Sequence, residues 1–320
     1  MRAPSPEFDL IARIRARAAS RDDVVLGIGD DAAILRMPPG HDLVVAMDTL
    51  NAGVHFPADT APADIGWKAL AVNLSDLAAM AATPAWCTLS LSLPDSDAVW
   101  VDGFLDGFLD LASRHDVALV GGDTTRGPLS VCVTVHGFVE PRGALRRSDA
   151  RVGDDVWVTG TLGDAAAALR QWQAGDAIDP LLRARLDRPT PRVAVGRALT
   201  GLAYACIDIS DGLLADLAHV CRASRVGAQI EVDALPASDA LRAAFDADAR
   251  RTLQAAGGDD YELCFTAPKT ARLAIDAAML DTDVSATRIG TIVAGDDIAV
   301  VTADGAVWAP PRRGYVHFAE

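Results

Sequence analysis

Half of the chain's 320 residues are hydrophobic, enough to bury a large core and to suit two domains better than one, which excludes global disorder. A formal net charge of −15 sets the field of the molecule against a sequence-independent grip on nucleic-acid phosphates, so polyanionic partners would need bound cations. Met1 to Pro6 holds no basic segment leading into an apolar one and no run of about 18 apolar residues occurs, so the expectation is a soluble cytoplasmic protein with neither nucleic-acid nor membrane partners.

In chain order, Phe8, Ile11 and Ile14 recur at helix spacing with Arg13, Arg15 and Arg17 interleaved, which predicts a helix over 7–19. Strands are predicted at 24–26, 43–47, 88–93 and 131–139 and helices at 63–82 and 98–114, a mixed α/β half. The polar, turn-forming stretch 140–148 sets a domain boundary near 148, giving domains of residues 1–148 and 149–320. Beyond it, strands at 155–159, 204–207, 229–232, 261–266, 288–293 and 298–302 alternate with helices at 164–173, 190–200, 212–223, 238–255 and 269–280, predicting a layered α/β domain. Cys87, Cys132, Cys206, Cys221 and Cys264 are scattered without a Cys-x-x-Cys spacing and read as free, mostly buried thiols.

Five separate stretches deliver an aspartate at the end of an apolar run, in a turn or on a short helix: Asp30, Asp48, Asp76, Asp123 and the pair Asp208/Asp211. Aspartate alone is weak evidence, because glutamate occurs only at Glu7, Glu140, Glu231, Glu262 and Glu320, and Gly-Asp-Asp recurs four times as ordinary turn chemistry. Gly27-Ile28-Gly29-Asp30-Asp31-Ala32 imitates a dinucleotide fingerprint but puts negative charge where a pyrophosphate would sit, and Pro38-Pro39 cuts short any following helix. Asp48 follows a strand, where an Asx turn and a metal ligand are both open, and His55 in the next loop suits either an anionic substrate or a structural hydrogen bond. On the helix carrying Leu70, Leu74 and Leu77, Asn73 and Asp76 are i, i+3 neighbours that need partners.

Val120-Gly121-Gly122-Asp123-Thr124-Thr125 reads as a strand, then a glycine turn whose N–H groups can approach phosphate while the aspartate holds a metal; a plain hairpin turn is the alternative. Asp208-Ile209-Ser210-Asp211-Gly212 joins a strand to a helix, and Ser210 or Asp211 could be its N-cap. Converging carboxylates roughly 4 Å apart repel by about 4 kcal/mol at an effective dielectric near 20, so they call for a cation, and an all-oxygen donor set favours magnesium over zinc. Only Lys68 and Lys269 are lysines and no P-loop is present, so phosphate charge would fall to metal ions, backbone N–H groups and arginine, with Arg147 as a candidate clamp.

Taken together, Gly27-Ile28-Gly29-Asp30-Asp31, Gly53-Val54-His55-Phe56, the helix from Lys68 to Met80, Gly121-Gly122-Asp123-Thr124-Thr125, Asp208-Ile209-Ser210-Asp211-Gly212-Leu213 and Asp260-Tyr261-Glu262-Leu263 resemble the thiamine-monophosphate kinase family, in its order and over nearly the whole chain. The resemblance implies the two-domain α/β fold shared with aminoimidazole ribonucleotide synthetase, pairing of amino-terminal domains in a homodimer, and direct in-line transfer from ATP to thiamine monophosphate. It further implies Asp30, Asp48, Asp76, Asp123, Asp208 and Asp211 as magnesium ligands. Gly122, Asp123, Arg147 and Ser210 are implied as ATP contacts, and His55 and Asp259 as substrate contacts. The acceptor is already a phosphate anion, so no catalytic base is assigned. How many metal ions bind, and whether potassium takes part, stays open.

The chain departs from the family at four points. Met47 precedes Asp48 where a threonine is usual, Leu105 follows Phe104 where a tyrosine is common, Asp259 stands for a glutamate, and Arg312 replaces a tryptophan before Gly314-Tyr315-Val316-His317-Phe318. Arg312 is a substrate candidate in its place, with Trp308 upstream as the alternative cover for the thiamine rings. Two other readings remain: an ATP-dependent synthetase or cyclo-ligase of the same fold, and a non-catalytic protein binding magnesium or calcium.

Overall fold

A computed structural model describes residues 6–316, with backbone alone for 6–8; the Phe8 side chain and the terminal His317-Phe318 of the tail motif lie outside the described residues. The chain divides into two compact units, the first running to Leu77 and from Ala82 to Arg142, the second taking Ala78–Ala81 and everything from Gly143.

The first unit opens with α1 (Pro6–Arg17) and a small antiparallel pair, β1 (Val24–Leu26) and β2 (Ile34–Leu35). Then follow β3 (Asp42–Asn51), α2 (Pro62–Ala79), β4 (Thr83–Leu93), α3 (Ala98–Arg114), β5 (Ala118–Arg126) and β6 (Ser130–Val139). The four long strands form a sheet in the order β3-β6-β4-β5, in which only β4 and β5 are parallel, joined by α3 as a crossover helix. Helix α3 starts where the Asp97 carboxylate accepts the N–H groups of Val99 and Trp100, and it buries Val101, Phe104, Leu105, Phe108 and Leu111 at helix spacing. Leu105, the departure from the family's tyrosine, is core. Helices α2 and α3 meet backbone to backbone, since a Cβ on Gly66 would overlap the Phe104 carbonyl and one on Gly107 the Ala63 carbonyl.

Alternation along β6 sorts the sheet's faces: Val131, Val133, Val135 and Val139 are buried, whereas Cys132, Thr134, His136 and Phe138 are only half-buried. On the more open face, β3 shows Leu43, Val45 and Met47 at 50%, 52% and 62% exposure. The segment predicted as a glycine turn after Val120 instead continues β5 to Arg126, paired with β4 residue by residue.

In the second unit, β7 (Asp155–Thr159), β8 (Ala205–Asp208), β9 (Gly227–Glu231), β10 (Leu263–Ala267), β11 (Ala286–Val293) and β12 (Ile298–Val301) form one sheet, ordered β12-β9-β11-β7-β10-β8. All neighbours are antiparallel except β12 and β9. Helices α4 (Asp164–Ala174), α5 (Pro180–Asp187), α6 (Val193–Ala198), α7 (Leu213–Ser224), α8 (Asp239–Ala244), α9 (Ala247–Ala256) and α10 (Arg272–Leu280) intervene. Val156, Val158, Ile207, Leu217, Ile230 and Ile289 anchor its main core. The helix predicted over 238–255 is two, because Asp246 caps a new start by accepting the Ala249 N–H; α5 is an element the periodicity missed. All five cysteines are free and all but Cys132 are buried. Among the described residues no helix is long and apolar enough to cross a membrane.

Candidate functional site

Each unit carries its own part of the predicted set. In the first, the Asp48 backbone N–H donates to Asn73 Oδ1 at 2.9 Å, while Asn73 Nδ2 donates to the Ala69 carbonyl at 2.9 Å. Asn73 is fully buried, so this amide is a clasp fixing β3 to α2 and not a polar group awaiting a ligand, as its pairing with Asp76 suggested. Asp76 sits one helical turn further along α2, half-buried, and Asp48 is half-buried on its strand. Lys68, buried on the same helix, donates from Nζ to the His55 carbonyl at 3.0 Å and holds that loop. The Asn51 N–H donates to His55 Nδ1 at 3.0 Å, which leaves Nε2 to carry the ring's proton.

Asp123 lies exposed on edge strand β5, and Gly122 before it has φ +152°, with the Leu89 carbonyl where a Cβ would be. Pairing runs Asp48–Val133–Leu89–Gly122 in one row and Thr49–Cys132–Ser90–Asp123 in the next. Asp48 therefore shares a face with the buried Val133 and Leu89, Asp123 shares the more open one, and they stand on opposite edges, three strand spacings or roughly 14 Å apart. Within this unit the two can serve separate ions or separate phosphate oxygens, not one. Asp30 is exposed in the β1–β2 loop, its Oδ1 accepting the Asp31 N–H at 2.8 Å.

The second unit brings three predicted segments together at the start of α7. Asp208 ends β8 and is buried; Ser210 and Asp211 follow, both half-buried. The Ser210 carbonyl accepts the Asp259 N–H at 2.8 Å, the Ile209 carbonyl accepts the Tyr261 N–H at 2.8 Å, and the Asp211 carbonyl accepts the Tyr315 N–H at 2.9 Å. Asp259 and Tyr261 both take left-handed backbone angles, φ +67° and +50°, and Tyr261 Oη donates to Asp259 Oδ1 at 3.0 Å. The tail that carries the exposed Arg312 is thus tied at Tyr315 to the Asp211 turn, whereas Trp308 packs against the β-sheet core. Arg147 is exposed, its carbonyl accepting from Ser224 Oγ at 2.7 Å, beside the Arg146 bridge to Ala205 on β8.

Neither Ser210 nor Asp211 caps α7. Buried Asp216 reaches back, and its Oδ2 accepts the N–H groups of Ser210, Asp211 and Gly212 at 3.0, 3.1 and 3.1 Å. Burial, with Asp208 and Asp211 adding repulsion, pushes the Asp216 carboxyl up to about 7. Below the Asp259 turn lies a second acidic layer. Asp260 accepts the Gly163 N–H on both oxygens at 2.9 and 3.0 Å, and burial holds its carboxyl well above the usual range. Glu262, fully buried, is gripped by Arg185 at 2.7 Å, by Arg192 and by Thr159 Oγ1 at 2.6 Å. Burial pushes the Glu262 carboxyl up, but the two guanidiniums outweigh it and the group stays below its ordinary value. Asp216, Arg185 and Arg192 were not singled out from sequence; the Asp208–Leu213 motif pointed toward the first and the Asp260-Tyr261-Glu262 motif toward the other two.

Among the described residues no three His, Cys, Asp or Glu side chains gather as a ready metal cage. Magnesium is commonly bound by one or two carboxylates with water and substrate phosphates completing the shell, and the all-oxygen donors Asp208 and Asp211 fit that mode.

Residues 29–139 match the AIR synthase related protein N-terminal domain family and residues 151–303 its C-terminal counterpart. The thiamine-monophosphate kinase of Escherichia coli is 48% identical over 320 residues, 98% of each chain. A crystal structure of thiamine-monophosphate kinase from Stenotrophomonas maltophilia is 55% identical with a TM-score of 0.87, covering 92% of this chain and 96% of that one. AaThiL complexed with AMPPCP and TMP is 30% identical with a TM-score of 0.77, over 99% of both chains.

Proposed function

This chain belongs to the thiamine-monophosphate kinase family, and from that premise we propose that it transfers the γ-phosphoryl group of ATP onto the phosphate of thiamine monophosphate, giving thiamine diphosphate. The observation that carries the site assignment is the clasp in the second unit, where the Asp208–Asp211 turn, the Asp259 loop and the Arg312-bearing tail are joined by backbone hydrogen bonds. Ser210, Arg147, Gly122 and Asp123 contact ATP; His55, Asp259 and Arg312 contact thiamine monophosphate. The Asn51 N–H bond to Nδ1 and the Lys68 bond to the His55 carbonyl hold the His55 ring and its loop in place.

Asp30, Asp48, Asp76, Asp123, Asp208 and Asp211 would hold magnesium, which would supply neutralisation of phosphate charge. The protein's own part is positioning: Asn73 fixes Asp48, Asp216 fixes the Ser210–Gly212 backbone, and the Glu262 ion pairs fix the strand behind Asp259. No side chain is asked to remove a proton, since the acceptor is already an anion.

The protein acts in the cytoplasm as a homodimer. Leu43, Val45 and Met47 line an exposed apolar strand of the kind that pairs with a second copy. The test of the activity is direct: purified protein with ATP, magnesium and thiamine monophosphate yields thiamine diphosphate, and ADP release without that product overturns the reading. Sedimentation tests the dimer, Val45→Lys being expected to give monomers.

A further inference from the structure

Helix α1 carries three arginines on alternate residues, and their fates differ. Arg13 Nη1 reaches Asp102 Oδ2 at 2.6 Å and Arg17 Nη2 reaches Asp106 Oδ1 at 2.6 Å, both on α3. Arg15 stands two residues from each, about 200° around the helix, and points away from that pairing. Its guanidinium lies on Gly29 instead: a Cβ added there would sit 2.5 Å from Arg15 Nη1 and 2.7 Å from Cζ, so the planar group rests on the bare glycine of the loop bearing Asp30 and Asp31. Among the described residues Arg15 makes no hydrogen bond or ion pair, although two carboxylates follow Gly29 directly and Asp30 Oδ1 turns back to the Asp31 N–H.

An arginine held against a functional loop with all its donors unused is poised for an oxyanion, and the guanidinium fork matches two phosphate oxygens at once. We propose that Arg15 is a phosphate-binding residue of the active site, contacting a substrate phosphate at the Gly29–Asp30 loop. The proposal rests on the kinase reading. Its chemistry is shared by the triphosphate of ATP and the monophosphate of the acceptor, and the experiment separates them.

Arg15→Ala and Arg15→Lys are compared with wild type by steady-state kinetics, varying ATP and thiamine monophosphate in turn. Arg15→Ala raises the KM of a phosphate substrate by about ten- to a hundredfold, the loss of one charge-assisted bidentate contact, with a smaller fall in kcat and an unchanged melting temperature. Arg15→Lys recovers part of the loss. A rise confined to ATP assigns the contact to the triphosphate, one confined to thiamine monophosphate to the acceptor. Both KM values within twofold of wild type, or a lowered melting temperature with unchanged KM, overturns the proposal. Calorimetry with tripolyphosphate distinguishes the two readings: a wild type that makes no thiamine diphosphate but binds tripolyphosphate more tightly than Arg15→Ala breaks the kinase reading and leaves the anion site standing.

Discussion

The two units hold their carboxylates in opposite ways. In the first, Asp30 and Asp123 stand exposed on a loop and an edge strand, and Asp48 is positioned through its backbone by Asn73. In the second, Asp208, Asp216, Asp260 and Glu262 are all buried; Asp216 and Asp260 accept backbone N–H groups, and Glu262 pairs with arginines. The first unit fixes the Asp48 main chain through Asn73 and presents Asp30 and Asp123 to solvent. The second uses buried carboxyl groups as structural material around a turn in which Asp259 and Tyr261 take left-handed angles.

The sharpest way to break this contrast is Glu262→Ala. Arg185 and Arg192, with side chains only 21% and 14% exposed, would lose their shared partner, and removing one member of a buried pair costs about 3–5 kcal/mol. Urea unfolding should show that loss in the second unit, with activity falling in step with the folded fraction. Asp123→Asn probes the other regime. Because Asp123 is exposed on its edge strand, the change should alter stability by no more than about 0.5 kcal/mol, while kcat with saturating magnesium falls by about 10²- to 10³-fold, the range for losing one preorganised electrostatic contact. Wild-type turnover in that variant would remove Asp123 from the metal site.

Asn73→Ala tests the clasp between these extremes. It leaves the Asp48 N–H unpaired at a cost of about 1–3 kcal/mol, and because the lost bond sets a proposed ligand, the magnesium dependence of the rate should shift to higher concentration. A stability loss without that shift would make Asn73 a core amide alone.

How much of this was legible in the sequence follows from how far apart the interacting residues lie. The helix over 98–114 and the strand over 155–159 matched to the residue, because periodicity and capping are local. The Asp208–Asp211 turn and Asp259 were visible as polar groups crowded at strand ends. What joins them was not. Glu262 meets Arg192 and Arg185 across 70 and 77 residues, and Asn73 meets Asp48 across 25, contacts that no spacing rule reports. Asp216 was hidden by its place inside a helix pattern, where a backward reach to the cap looks like an ordinary exposed position. The run after Val120 misled because two glycines signal a turn, whereas here the missing Cβ lets β5 approach the Leu89 carbonyl and continue as a strand.

The smallest effect concerns acid. Arg272 Nε and Nη2 grip Asp155 at 2.6 and 2.8 Å, and that pairing, against an opposing push from burial, holds the Asp155 carboxyl below its ordinary value. A carboxyl lowered in the folded state contributes stability that is complete above its unfolded value near 3.9 and is lost as pH falls through the folded one. Arg272→Ala should therefore move the acid limb of the second unit's unfolding to higher pH and leave the first unit's limb where it was. Urea midpoints at pH 7 and pH 3, read separately from Trp157 in the second unit and Trp86 in the first, would show it. An equal shift at both tryptophans would mean that the units unfold as one and that their contrasting treatment of charge has no separate thermodynamic signature.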